Sequence, residues 1–155
     1  MVEDCTIAPI ALAEGEGERI TLRGAELIFK SAAESDEGWA VMDYTLPPKH
    51  FGAPLHYHEN VTESFYVVSG ELWFKAGDKE VNLKAGGFVM VPPRTPHAFA
   101  NRSDEPARLL GHASSGKHKA FLKELFPMIE AEKSWPPKDP SAFVELGKRY
   151  DTVYL

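Results

Sequence analysis

The chain has 155 residues, of which 43% are hydrophobic and 26% charged, and its net charge is −6. That length bounds one domain with a real hydrophobic core. The acidic balance and the lack of a basic cluster argue against a nucleic-acid partner, and no apolar run approaches a membrane span. Cys5 is the only cysteine, so no intrachain disulfide can form, which fits a reducing compartment. The start Met1-Val2-Glu3-Asp4 is acidic and lacks the basic and apolar regions of a secretory signal. Together these features predict a cytoplasmic protein.

Residues 20–29 read as short strands around the turn Arg23-Gly24-Ala25, and residues 39–46 as another strand ended by Pro47-Pro48. Alternation then runs through residues 55–57, 63–68, 72–75, 80–83, 88–91, 97–101 and 107–112. Gly70, Gly77-Asp78, Gly86-Gly87, Pro92-Pro93 and Ser103-Asp104 punctuate these runs. Many short strands at regular spacing predict a β-sandwich or barrel. After Ser115 the period changes: Phe121, Leu122, Leu125, Phe126 and Ile129 recur at helical spacing. Pro127 is expected to kink that helix or start a new one. Trp135-Pro136-Pro137 reads as a stiff connector, followed by Asp139 as an N-cap with Pro140 at the first helical position. Phe143, Leu146 and Tyr150 give the last helix one apolar face. Both helices are expected to pack on the barrel exterior, the alternative being that one covers its mouth. Lys117, Lys119 and Lys123 read as a solvated helix face. The predicted organisation is a β-barrel over residues 1–115 and a C-terminal helical extension over 116–155, packed on the barrel within the same domain.

Two segments carry the chemistry. In the first, His56 and His58 are two apart on a strand, so their side chains point the same way and can share one ion. Glu59-Asn60-Val61-Thr62 is polar enough to turn the chain and bring Glu63 back beside them. In the second, His97 opens a run in which His97, Phe99 and Asn101 share a face. Two histidines and a carboxylate with open positions suit non-haem iron chemistry, and a third histidine is compatible with it. The absence of thiolates argues against a closed structural zinc site. Phe65, Leu72, Phe74 and Phe99 should point inward, with Met42 and Tyr44 on the preceding strand; this set is the predicted substrate pocket. Arg94 is read as exposed, and His50, His112 and His118 as structural or exposed.

This constellation resembles the cupin superfamily. Its first motif is a glycine, His-x-His, a glutamate and a later glycine, and His56, His58, Glu63 and Gly70 match it. Its second motif is a glycine, Pro-x-Gly, a histidine and an asparagine, and Gly86, Pro92, His97 and Asn101 match it. Two motif glycines are replaced, by His50 and Arg94, which puts the local turns in question because other residues tolerate positive φ poorly. The wider sequence is similar to small single-domain cupins of the quercetin dioxygenase kind.

The resemblance implies an all-β, cupin-type jelly-roll barrel with C-terminal helices. It implies His56, His58, Glu63 and His97 as ligands of one divalent transition metal (iron, manganese, nickel, cobalt, copper or zinc). It further implies a metal-dependent dioxygenase acting on a small aromatic or enolic compound, with dioxygen as co-substrate, no organic cofactor and Glu63 as ligand or general base. The alternatives are a non-redox isomerase, epimerase or decarboxylase, and a small-molecule-binding protein without chemistry. A homodimer is expected, with the N-terminal strands as a possible pairing element.

Overall fold

The computed structural model describes residues 8–32 and 34–155. Cys5 and residues 1–4, on which the compartment reading rests, lie outside the described residues. Eleven strands and two helices are described. They are β1 (Glu18–Leu22), β2 (Ala25–Phe29), β3 (Ala40–Leu46), β4 (Ala53–His58), β5 (Glu63–Ser69), β6 (Glu71–Ala76), β7 (Lys79–Lys84), β8 (Phe88–Val91), β9 (His97–Ala100) and β10 (Ala107–Ala113), followed by α1 (Lys117–Ala131), α2 (Ser141–Arg149) and β11 (Thr152–Tyr154). The strands form two antiparallel sheets, ordered β1-β2-β3-β10-β5-β8 and β11-β4-β9-β6-β7. The sheets face each other as a jelly-roll sandwich, and among the described residues no strand pairing closes them into one barrel.

Alternation decides which side chains enter the space between the sheets. On β5, Glu63, Phe65 and Val67 are buried while Tyr66 and Val68 are exposed. Leu27, Met42, Val67, Leu72, Phe74 and Leu109 contribute to one contiguous core. Three elements converge on one end of this space. β4 and β9 are neighbours in the five-stranded sheet, with His56 opposite His97. β5 belongs to the six-stranded sheet and presents Glu63 from across the gap.

The two replaced motif glycines are accommodated differently. Arg94 itself adopts φ +62°, and its backbone N–H donates to the His58 carbonyl at 2.7 Å. The turn near His50 is made instead by Lys49 at φ +59° and Gly52 at φ +65°. His50 is buried there as a connector: one ring nitrogen lies 2.8 Å from the Leu22 carbonyl oxygen, and the other accepts the Gly52 N–H at 3.0 Å.

The tail departs from the sequence expectation in four ways. First, no new helix starts at Pro127: α1 runs through it, with Phe126 and Ile129 buried in the core. Arg23 secures its C-terminal end by donating to the carbonyls of Ile129 (2.8 Å), which also accepts the Glu132 N–H, and of the C-cap Glu132 (2.5 Å). Second, α1 does not simply cover the exterior: Phe121, Leu125 and Phe126 line the internal cavity with Met42 and Tyr44. Third, only part of the lysine face is solvated: Lys117 is exposed, as expected, and paired with Asp36. Lys119 is only 5% exposed and, with Lys123, is held by Glu18, each at 2.8 Å. Fourth, after α2 the chain turns at Asp151 and pairs β11 against β4, with Thr152 opposite His58 and Tyr154 opposite His56. The start of α2 falls one residue later than expected, with Pro140 as the N-cap, and Asp139 before it accepts the Ser141 N–H at 3.0 Å.

Gly52 and Arg94 give opposite expectations in a thermal melt. A Cβ at Gly52 would lie 2.1 Å from the Phe99 carbonyl oxygen, so Gly52→Ala should cost ~2 kcal/mol or more and lower Tm by roughly 5 °C or more. Arg94→Gly relieves a left-handed side-chain residue and should leave Tm unchanged or slightly raised.

Candidate metal centre

His56, His58, Glu63 and His97 are all buried, and one ligand atom from each lies within 4.8 Å of every other. The contacts centre on one carboxylate oxygen. Glu63 Oε2 is 2.7 Å from His97 Nε2, 2.9 Å from His58 Nε2 and 3.9 Å from His56 Nε2. Spacing on β4 gives the first two histidines a common face, strand pairing adds His97, and the opposite sheet supplies Glu63.

Hydrogen-bond partners fix which nitrogen of each ring faces inward. His56 Nδ1 lies 2.7 Å from the Pro54 carbonyl and His97 Nδ1 lies 2.9 Å from the Thr95 carbonyl, so both must donate there. His58 Nδ1 lies 2.9 Å from Thr152 Oγ1, whose own proton goes to the Tyr150 carbonyl at 3.2 Å. Thr152 therefore accepts from His58. All three rings commit Nδ1–H outward and leave Nε2 as the inward nitrogen, the outer-shell arrangement that orients imidazole ligands. Three imidazole nitrogens and a carboxylate oxygen, with no thiolate, fit a divalent transition metal.

The electrostatics agree with that fit. Burial works against the charge of Glu63, but the His58 and His118 imidazoles, with hydrogen bonds from His58 and His97, hold its carboxyl well below the usual carboxylate range. Burial pushes His56 down to about 3, with His97 and His58 adding to the shift, so this ring stays neutral and its Nε2 is free to ligate. Burial also opposes the charge on His97, yet the hydrogen bond and charge of Glu63 raise it above the ordinary histidine value. Its inward N–H stands where a metal bond would form, and metal binding would displace that proton.

The structure adds residues that the motifs did not supply. His118 on α1 places Nε2 3.2 Å from Glu63 Oε1, so it steadies the oxygen turned away from the histidines. Burial pushes His118 down to about 4, against the attraction of Glu63. In sequence it is an isolated histidine outside both motifs, and only the packing of α1 reveals its position. Thr152 and Tyr154 come from β11, whose three residues are too short to stand out by periodicity. The β-branched and aromatic residues Thr152-Val153-Tyr154 suit a strand, but three residues do not distinguish one from a loop.

Met42, Tyr44, Phe65 and Phe99 line the apolar cavity beside Glu63 and His56. Leu72 and Phe74 are buried in the core and are not among the lining residues. His112 sits on the outer face of its sheet, 3.3 Å from Ser64 Oγ and edge-on to Trp39, away from the cluster. Arg94 is exposed and bonded to Glu59.

Thr152→Val removes the acceptor for His58 while keeping the side-chain shape. Competition against a chromogenic chelator should show metal affinity falling about tenfold or more, with the circular dichroism spectrum unchanged. An unaltered affinity would mean that Thr152 does not orient the ligand.

With this geometry in hand, the likenesses to known proteins can be placed. Residues 42–112, which hold all four cluster residues, match the family model described as Cupin domain. Quercetin 2,3-dioxygenase of Bacillus subtilis is 30% identical over 118 residues, covering 76% of this chain and 34% of that protein. The chain thus spans about a third of that relative's length. An RmlC-like cupin from Shewanella frigidimarina aligns with a TM-score of 0.60 at 17% identity, over 74% of this chain and 96% of that one. A protein described as a predicted oxalate decarboxylase from Thermotoga maritima aligns with a TM-score of 0.53 at 24% identity, over 62% and 89%. These two likenesses are of fold alone. No helix among the described residues is long and apolar enough to cross a membrane. The buried cluster on β4, β5 and β9, the two motifs and the matched segment agree: residues 42–112 carry a cupin domain, and the chain is similar over three quarters of its length to a quercetin dioxygenase.

Proposed function

We propose that the protein is a metal-dependent dioxygenase acting on a small aromatic or enolic compound. The observation that carries this reading is a buried cluster of three imidazoles and one carboxylate, of which His56 and Glu63 line an otherwise apolar cavity. Similarity to a quercetin dioxygenase supports the choice of reaction. A divalent metal held by His56, His58, Glu63 and His97 supplies Lewis acidity toward a substrate hydroxyl and, if redox-active, a route for electrons to dioxygen. In a dioxygenation the substrate provides the electrons that dioxygen accepts, so no organic cofactor is needed.

The chain's own residues would then act as follows. Phe65, Phe99 and Met42 hold the apolar body of the substrate and exclude water, which strengthens every charge interaction inside. Glu63 is the nearest carboxylate to the cavity and takes the proton that leaves the substrate hydroxyl at one of its oxygens. His118, from its place on Oε1, keeps that carboxylate in position. A homodimer belongs to the same reading, with β1 as the edge strand of the six-stranded sheet among the described residues.

Oxygen-electrode assays with a series of enolic aromatics and the iron-, manganese-, nickel-, cobalt- or copper-loaded protein test the proposal. Substrate-dependent dioxygen uptake is expected, falling ~100-fold or more in Glu63→Gln, the loss typical of a missing general base. Product formation without dioxygen uptake would move the protein to a non-redox reaction on the same site. Uptake equal to wild type in Glu63→Gln would remove the base role.

A further inference from the structure

The cavity beside the metal ligands measures about 70 Å³. Pockets that enclose drug-sized ligands start near 300 Å³, so a three-ring flavonol is out of scale here. The wall that keeps the space small is α1, through Phe121, Leu122, Leu125, Phe126 and Ile129. Arg23 and the buried Lys119 anchor this helix from opposite ends, so it is built into the fold and is not a loose cover.

Two tyrosines of this lining carry hydroxyls that lack a partner. The hydroxyls of Tyr44 and Tyr154 are buried and make no hydrogen bond, and both residues line the cavity. Tyr44 comes from β3, is 5% exposed and packs its ring edge-on to Phe99 at 6.1 Å. Tyr154 comes from β11 in the opposite sheet, with its ring 6.2 Å from that of His56. Burying a hydroxyl without a partner is unfavourable, and phenylalanine would fill either place without that penalty. Tyrosine at both positions is explained if the hydroxyls meet a group that enters from outside.

We infer that the site takes a compact, mostly apolar molecule of about one ring carrying two oxygen functions, one presented to the metal and the other held by the hydroxyls of Tyr44 and Tyr154. This rests on the reading that the cavity beside Glu63 is where substrate binds. It differs from that reading in excluding flavonol-sized compounds and in assigning Tyr44 and Tyr154 as the groups that orient the ligand.

Calorimetric titration of the zinc-loaded protein tests the inference without requiring turnover. The probes are cyclohexane-1,3-dione, whose enolic and keto oxygens diverge and cannot both chelate one ion, the two-ring 4-hydroxycoumarin, and quercetin. Binding should be tightest for the single ring and absent for quercetin. Tyr44→Phe and Tyr154→Phe should each weaken cyclohexane-1,3-dione binding by about tenfold while leaving Tm unchanged or raised, since each variant removes an unpaired buried hydroxyl. Three results would overturn the inference: quercetin binding as tightly as the single ring, no binding of either smaller probe, or a fall in Tm of both variants with binding unchanged, which would place a structural water at the hydroxyls. Failure of the dioxygenase reading is distinguishable, because it would show as binding with this pattern but no dioxygen uptake by the protein loaded with a redox-active metal.

Discussion

One carboxylate oxygen ties the two sheets of this molecule together. Glu63 reaches across from β5 and meets histidines of β4 and β9 at hydrogen-bond distance, while its other oxygen meets His118 of α1. An ionised carboxylate so deeply buried is tolerable only because several imidazoles surround it. Alone, it would shift its proton equilibrium and neutralise. The cluster therefore constrains the register of three strands and the seat of a helix at once. A one-residue slip of β5 would turn Glu63 outward and Ser64 inward, leaving the histidines without their counter-charge.

The tail completes this arrangement and does more than decorate it. β11 returns beside β4 and supplies the hydroxyl that orients His58. Its turn is held by Asp151, which accepts from both the backbone and the side chain of Asn60 at 2.7 Å. α1 closes the space between the sheets and fixes its size. Ligand orientation, cavity volume and the unpaired hydroxyls thus depend on residues far apart in sequence that meet only in the folded chain.

How much of this could be read from the sequence follows from the physics of each signal. Strand period is short and local, so β3, β5, β8 and β10 were legible within a residue or so of their observed bounds. The four cluster residues were legible because His-x-His spacing, a polar turn and a second histidine strand encode their meeting directly. Arg94 illustrates a limit: it occupies the left-handed position that glycine usually fills, at a cost the fold absorbs. His118, Lys119 and β11 were not legible, since each takes its role from tertiary packing. An isolated histidine, a lysine on a helix and a three-residue strand look the same in sequence whether buried or exposed. Leu72 and Phe74 show the converse. Period places them inward, but it cannot separate core from cavity lining.

The central claim is that four side chains hold one metal ion. Elemental analysis of the protein purified without a tag or chelator, alongside the double variant His58→Ala/His97→Ala, tests it most directly. The account predicts close to one transition-metal ion per chain in the native protein and almost none in the variant. A native protein that stays metal-free after reconstitution, or a variant that keeps a full complement, would contradict it.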